Sequence, residues 1–184
     1  MTAPDTNSFA KCSALLYAAD EHGRLDMENM LRELGFGHVL DINQLNAVPP
    51  RTLPFYFLHG DVASHVKLRL LKGLRSSEEL RRRYAPIICV LPRGPRHQMI
   101  SQVEMGFDEV VFLSDPQGDT VRALAAQLGQ DLLYIEAPNY FGPDRRRLER
   151  VSRGDPRRHQ GGMMHHRIQV VRDPDKGIRA TYLR

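Results

Sequence analysis

The 184-residue chain has room for one α/β domain of about 120–140 residues plus an appendage. Hydrophobic content of 41% is ordinary globular usage, and no apolar stretch approaches the length of a membrane span, which excludes a membrane-spanning role. The net charge of +4 is uneven: residues 1–137 carry 14 Lys/Arg against 17 Asp/Glu, and residues 138–184 carry 12 against 5, so a mildly acidic domain precedes a basic segment.

Residues 1–11 read as a disordered lead, and MTAPDTNSFAK lacks the basic-then-apolar pattern of a secretion signal, so a cytoplasmic protein is expected. Apolar runs of strand length then alternate with amphipathic segments of helix length. Cys12–Ala19 reads as a buried strand. Leu25–Leu34 places Leu25, Met27, Met30, Leu31 and Leu34 near helical spacing, with Gly35 as a stop. His38–Ile42 is a short strand, followed by a weak helical turn at Asn43–Ala47 that ends at Pro49-Pro50. Phe55–His59 is unbroken apolar sequence up to His59, as a central parallel strand buried on both faces requires.

Val62–Tyr84 is long and basic and forms one helix or two, with a break near Gly73 or Ser76-Ser77. Pro86–Leu91 is a fourth strand, Arg96–Met105 a helix closed by Gly106, and Glu109–Leu113 a fifth strand. Asp119–Leu128 is an amphipathic helix with Asp119 as its N-cap and Gly129 as its stop. Five strands alternating with helices imply right-handed crossovers and a parallel sheet covered on both faces. The expected fold is α/β, a flavodoxin-like five-stranded parallel sheet with helices on both faces, plus an extended basic tail and a C-terminal β-hairpin. The expected boundaries are 1–11, 12–137, 138–162 and 163–184.

Pro138–Gly162 (PNYFGPDRRRLERVSRGDPRRHQGG) is rich in Gly, Pro and Arg, and it reads as an extended or disordered arm. Three roles stay open for it. It is a solvated linker, a docking peptide anchored by Tyr140 and Phe141 with Arg145, Arg146 and Arg147 pairing an acidic groove, or an anion or nucleic-acid site. His165–Arg172 and Ile178–Leu183 flank DPDKG (Asp173–Gly177), a hairpin signature. An isolated hairpin is marginal in water, so it must pack on the domain, on a partner or on a second copy. Cys12 and Cys89 lie in apolar runs and read as small buried thiols, and His159, His165 and His166 lack ligand partners at metal-site spacing. No metal and no cofactor is expected. The chain shows no Gly-rich phosphate loop, nucleophile elbow or triad.

Four segments carry a resemblance. LLYAADE (Leu15–Glu21), FYFLHG, PIICVL and MGFDEVVFLSDP (Met105–Pro116) occur in the order and spacing of the response-regulator receiver family. The chain resembles that CheY-like family over roughly residues 12–130. The resemblance implies a cation-binding acidic pair after the first strand, a nucleophilic Asp ending the third, a hydroxyl after the fourth and a Lys after the fifth. Those positions hold Ala19 and Asp20, His59, Leu91, and Asp115 followed by Pro116. Leu91 has no hydrogen bond to give a phosphoryl oxygen, and Asp115 repels one. A pseudo-receiver without phosphotransfer is therefore expected, with His59 or Asp61 as the only conceivable substitutes for the acceptor.

The implied role is that of a non-enzymatic interaction module in bacterial two-component (phosphorelay) signalling. Its expected partner, a kinase, regulator or effector, docks on Arg96–Leu128 and the tail, with a homodimer as a further possibility. The block YFGPDRRR resembles tails appended to bacterial receiver-like proteins. Arg145, Arg146 and Arg150 have the RRxxxR spacing that resembles the cyclic-di-GMP-binding arm of PilZ domains. Cyclic dinucleotide or nucleic-acid binding is thus the alternative.

Overall fold

The computed structural model describes residues 9–144 and 165–183. Its elements in chain order are β1 (Cys12–Tyr17), α1 (Glu21–Glu33), β2 (His38–Asp41), a 3₁₀ segment (Ile42–Ala47), β3 (Leu53–His59), α2 (Ser64–Arg75), α3 (Leu80–Arg83), β4 (Ile87–Leu91), α4 (Arg96–Met105), β5 (Glu109–Phe112), α5 (Gln117–Ala125), β6 (Leu132–Ala137), β7 (Tyr140–Pro143), β8 (His166–Asp173) and β9 (Gly177–Leu183). The five expected strands form an all-parallel sheet in the order β2-β1-β3-β4-β5, the flavodoxin-like arrangement.

Strand alternation divides the sheet into two cores. On one face Ala14, Leu16, Phe55, Phe57, Ile88, Val90 and Val111 pack under Met27 and Leu31 of α1 and Val121 and Leu124 of α5. On the other, Leu15, Tyr56, Leu58, Ile87, Cys89 and Val110 pack under Leu71 and Leu74 of α2 and Val103 of α4. The crossover between β2 and β3 is only the 3₁₀ segment, which buries no residue fully.

Several boundaries differ from the expectation for local reasons. Helix α1 starts four residues early because Asp20 caps it, accepting the Gly23 N–H at 2.8 Å. Leu25 is then 44% exposed and leaves the core face. The basic stretch is two helices, broken at Ser76-Ser77. Asp119 is not an N-cap but lies in the first turn of α5, after Pro116. Gly106 closes α4 at φ +117, a conformation that a side chain would strain. The lead is anchored at its end: Phe9 is fully buried and stacks on Phe36 at 4.9 Å, and residues 1–8 lie outside the described residues.

The larger difference is a second sheet, antiparallel, in the order β7-β6-β8-β9. Leu132–Ala137, expected to close the receiver-like domain, is instead one of this sheet's two inner strands, β6. The arm expected from Pro138 begins as β7, turned back on β6 through Pro138-Asn139, and residues 145–162 lie outside the described residues. The hairpin is present as β8–β9. Asp173 holds its turn by accepting the N–H groups of Asp175 at 2.9 Å and Lys176 at 3.1 Å, and Gly177 takes φ +82.

This sheet sits at the amino ends of the parallel strands. Asp108, just before β5, accepts from Arg75 of α2 at 2.5 Å and from Arg172 of β8 at 2.8 Å. It also accepts from the Tyr134 hydroxyl of β6 and from the Ile87 N–H at 2.7 Å. Arg172 is fully buried and also donates to the Tyr84 carbonyl and the Gln127 side chain, both at 2.7 Å. Tyr84, Leu132, Tyr134, Ile168 and Val170 form a small third core around this cluster.

Burial alone pushes the Asp108 carboxyl up, but Arg172, Arg75 and the Tyr134 hydrogen bond outweigh it and hold the carboxyl below its ordinary value of 3.8. A group depressed in the folded state contributes stability above its unfolded pKa and loses it as pH falls through the folded one. Urea unfolding of Asp108→Asn should therefore show a loss of about 3–5 kcal/mol at neutral pH, since two buried guanidiniums lose their counter-charge. The gap to wild type should narrow as pH drops below 3.8. A pH-independent gap would remove the ionised carboxylate from this account.

Candidate functional site

The carboxyl ends of β1, β3, β4 and β5 adjoin, and this is where open α/β sheets place their ligands. The topology does bring Ala19, Asp20, His59, Leu91 and Asp115 to this one edge. Their side chains do not form a phosphoacceptor pocket. Asp20 is spent on the α1 cap. Asp115 turns back and accepts the Phe112 N–H at 3.0 Å. Leu91 is buried among the apolar residues beneath α2 and α4.

His59 is 7% exposed, and its Nδ1 lies 2.8 Å from Asp61 Oδ1. Its Nε2 is buried and makes no hydrogen bond within the protein. The first turn of α1 lies directly on this ring: a Cβ at Gly23 would stand 2.6 Å from His59 Nδ1. Asp61, the displaced-acceptor candidate, is held by His59 and by the Ala19 N–H at 3.4 Å. Among the described residues no cluster of three His, Cys, Asp or Glu could hold a metal ion.

Lys67 was invisible in the sequence as a site residue. It sits on α2 between Val66 and Leu68, where a lysine is expected to face solvent, yet it is 3% exposed. Its ammonium donates to the Gly60 carbonyl at 3.0 Å and the Gln102 side chain at 3.4 Å, pinning the loop after β3 to α4. Gly60 has little space of its own, because a Cβ there would stand 2.8 Å from a Leu91 methyl group. The loop that would present an acceptor is thus locked by a cation and an apolar wall. Burial raises the Cys12 thiol to about 12 and the Cys89 thiol to about 11, so neither supplies a nucleophile.

The tail residues have a different fate. Phe141 packs against Tyr84 and Tyr134 with centroids 5.6 Å and 6.1 Å away, and the Arg83 guanidinium lies 4.4 Å over its ring. Tyr140 donates its hydroxyl to the Pro143 carbonyl at 2.7 Å. Both are half-buried parts of a strand rather than anchors on an extended arm, because β7 is paired to β6 and packed on α3. Together with the C-terminal halves of α2 and α4 they line a cleft of 630 Å³. Arg145, Arg146, Arg147 and Arg150 lie outside the described residues. On the Arg96–Leu128 surface, Ile100 of α4 is a large exposed apolar side chain.

Comparison with protein-family models gives no match, and comparison with curated proteins gives none either. Among the described residues no helix is long and apolar enough to cross a membrane.

The contact of α1 on His59 is directly testable. Gly23→Ala should lower stability by about 1–3 kcal/mol through overpacking. His59→Ala in the same chain should recover most of that loss, a coupling that a double-mutant cycle of thermal or urea melts reads out. Strictly additive effects would place the Gly23 cost elsewhere.

Proposed function

We propose that this chain is a receiver-like interaction module that does not accept a phosphoryl group and that works by binding another protein in two-component signalling. The proposal includes the cytoplasm as its place of work and no catalysis of its own. One observation carries it: at the carboxyl edge, every acidic side chain is already committed. Asp20 caps a helix, Asp61 faces His59, and Asp115 holds its own turn. An aspartyl phosphate needs a free carboxylate beside a divalent cation and cationic or hydroxyl groups to receive the phosphoryl oxygens. Here the central strand ends in an imidazole, and the nearby ammonium of Lys67 is consumed by Gly60 and Gln102.

A locked loop suits a static docking role better than a switching one. Receivers commonly signal through the surface of the fourth helix, fifth strand and fifth helix, which here is α4, β5 and α5. Ile100, 44% exposed, supplies that surface with an apolar contact of the kind that anchors interfaces.

The full chain, incubated with acetyl phosphate and Mg²⁺, should keep its mass by intact mass spectrometry. A stoichiometric phosphoryl adduct on an aspartate would sink the proposal. In parallel, a protein retained by the immobilised wild-type chain should be lost on Ile100→Glu while the far-UV circular dichroism is unchanged. Undiminished retention would move the docking face away from α4.

A further inference from the structure

We infer that β9 is a self-association edge, through which two copies of the chain pair antiparallel to join their second sheets into one eight-stranded sheet. The inference stands whether or not the receiver-like reading holds, since it rests only on the second sheet.

Sheet edges are normally blunted, because unpaired N–H and C=O groups recruit other strands. Three of the four edges here are short. β2 and β5 have four residues each, and β7 has four and includes Pro143, which has no N–H to offer. β9 has seven residues, all paired to β8 on one side, from Arg167↔Leu183 to Asp173↔Gly177. On the other side, among the described residues, no backbone group of Gly177–Leu183 bonds to anything. The strand contains no proline, lysine or carboxylate to deter pairing. Its end presents Tyr182 at 55% and Leu183 at 38% exposure, although Tyr182 lies on the same sheet face as buried Ile168.

The sequence of β9 complements itself. A two-fold axis through Ala180 opposes Ile178 to Tyr182 of the second copy, Arg179 to Thr181, and Gly177 to Leu183. No like charges face each other, which is the arrangement that cross-strand pairing favours. Ile178, Ala180 and Tyr182 share the face that carries Ile168, Val170 and Arg172, so the pairing continues an apolar row across the axis and covers the exposed Tyr182 ring. An isologous contact of this kind closes at two copies and leaves no further edge of the same type. A foreign strand would need to match the same pattern, whereas a second copy always does.

The discriminating experiment exploits the register. By sedimentation equilibrium the full chain should run at 42 kDa, twice its 21.0 kDa. Thr181→Lys changes an exposed side chain and sets a lysine opposite Arg179 of the second copy twice over, so it should yield monomer. Adding Arg179→Glu turns both repulsions into attractions and should restore the dimer. Independently of any variant, hydrogen exchange of the Gly177–Leu183 amides in the wild-type chain should slow as protein concentration rises. A wild-type monomer, a dimeric Thr181→Lys chain, a double variant that stays monomeric, or exchange indifferent to concentration would each overturn the inference.

Discussion

Two sheets of different type meet in this chain, and the carboxylate of Asp108 is what joins them. It receives a guanidinium from α2, a second from β8, a hydroxyl from β6 and a backbone N–H from β4. Burying such charges is costly unless each is bonded. The cost is offset here by geometry: Arg75 reaches the Arg83 and Ala85 carbonyls at 2.8 Å and 2.9 Å, and Arg172 reaches the Tyr84 carbonyl. Those carbonyls belong to the segment entering β4, where the strand has not yet found a neighbour. The Tyr134 ring also faces both guanidiniums, at 5.3 Å and 5.6 Å, and its π face attracts the positive charge that a single carboxylate leaves over.

That junction determines which end of the parallel layer the second sheet covers. The second sheet covers the amino ends of the parallel strands, with Lys11 paired to Asp175 at its far side. At the opposite, carboxyl edge the described residues belong to the parallel layer. Asp20, Asp61, Asp115, His59 and Lys67 still cluster there, but each holds a turn, a cap or a loop. Side chains bonded into caps, turns and loops in this way rigidify the edge.

Much of the parallel layer was legible in the sequence. FYFLH and PIICVL are continuous apolar runs, and their unbroken character is what burial on both faces demands. The carboxyl-edge residues were legible too, because chain order fixes which strand ends adjoin once the sheet order is known. The second sheet was only half legible. β8 and β9 carry a turn signature, whereas LLYIEA of β6 follows closely on α5 and looks like the tail of the same unit. Its pairing with β8 spans a long stretch of chain, and no local pattern encodes that. Arg172 carried no signal for a related reason: nothing in the hairpin sequence marks it as buried, and only the position of Asp108 makes it core. Lys67 and the Gly23 contact on His59 likewise depend on tertiary placement.

The third core is small: five buried residues, with Phe141, Ile178 and Ala180 leaning on it. A four-stranded sheet with one thin apolar face does not pay for its own chain entropy, so its stability comes from the layer it caps. The anchoring is also lopsided. Arg172 on β8 and Tyr134 on β6 enter the buried cluster, and β7 contributes Phe141 beneath Arg83. From β9, Ile178 and Ala180 lean on the small core, α3 packs nearby, and Tyr182 sets its ring against His166 and donates a hydrogen bond to Glu136 at 2.9 Å. Each strand inward from β9 thus sends a charged or aromatic side chain into or onto the buried cluster, whereas β9 sends Ile178 and Ala180 toward it and, among the described residues, pairs its backbone with β8 alone. A strand in that position leaves its outer backbone polar groups open, which is the condition under which a sheet grows by one more strand.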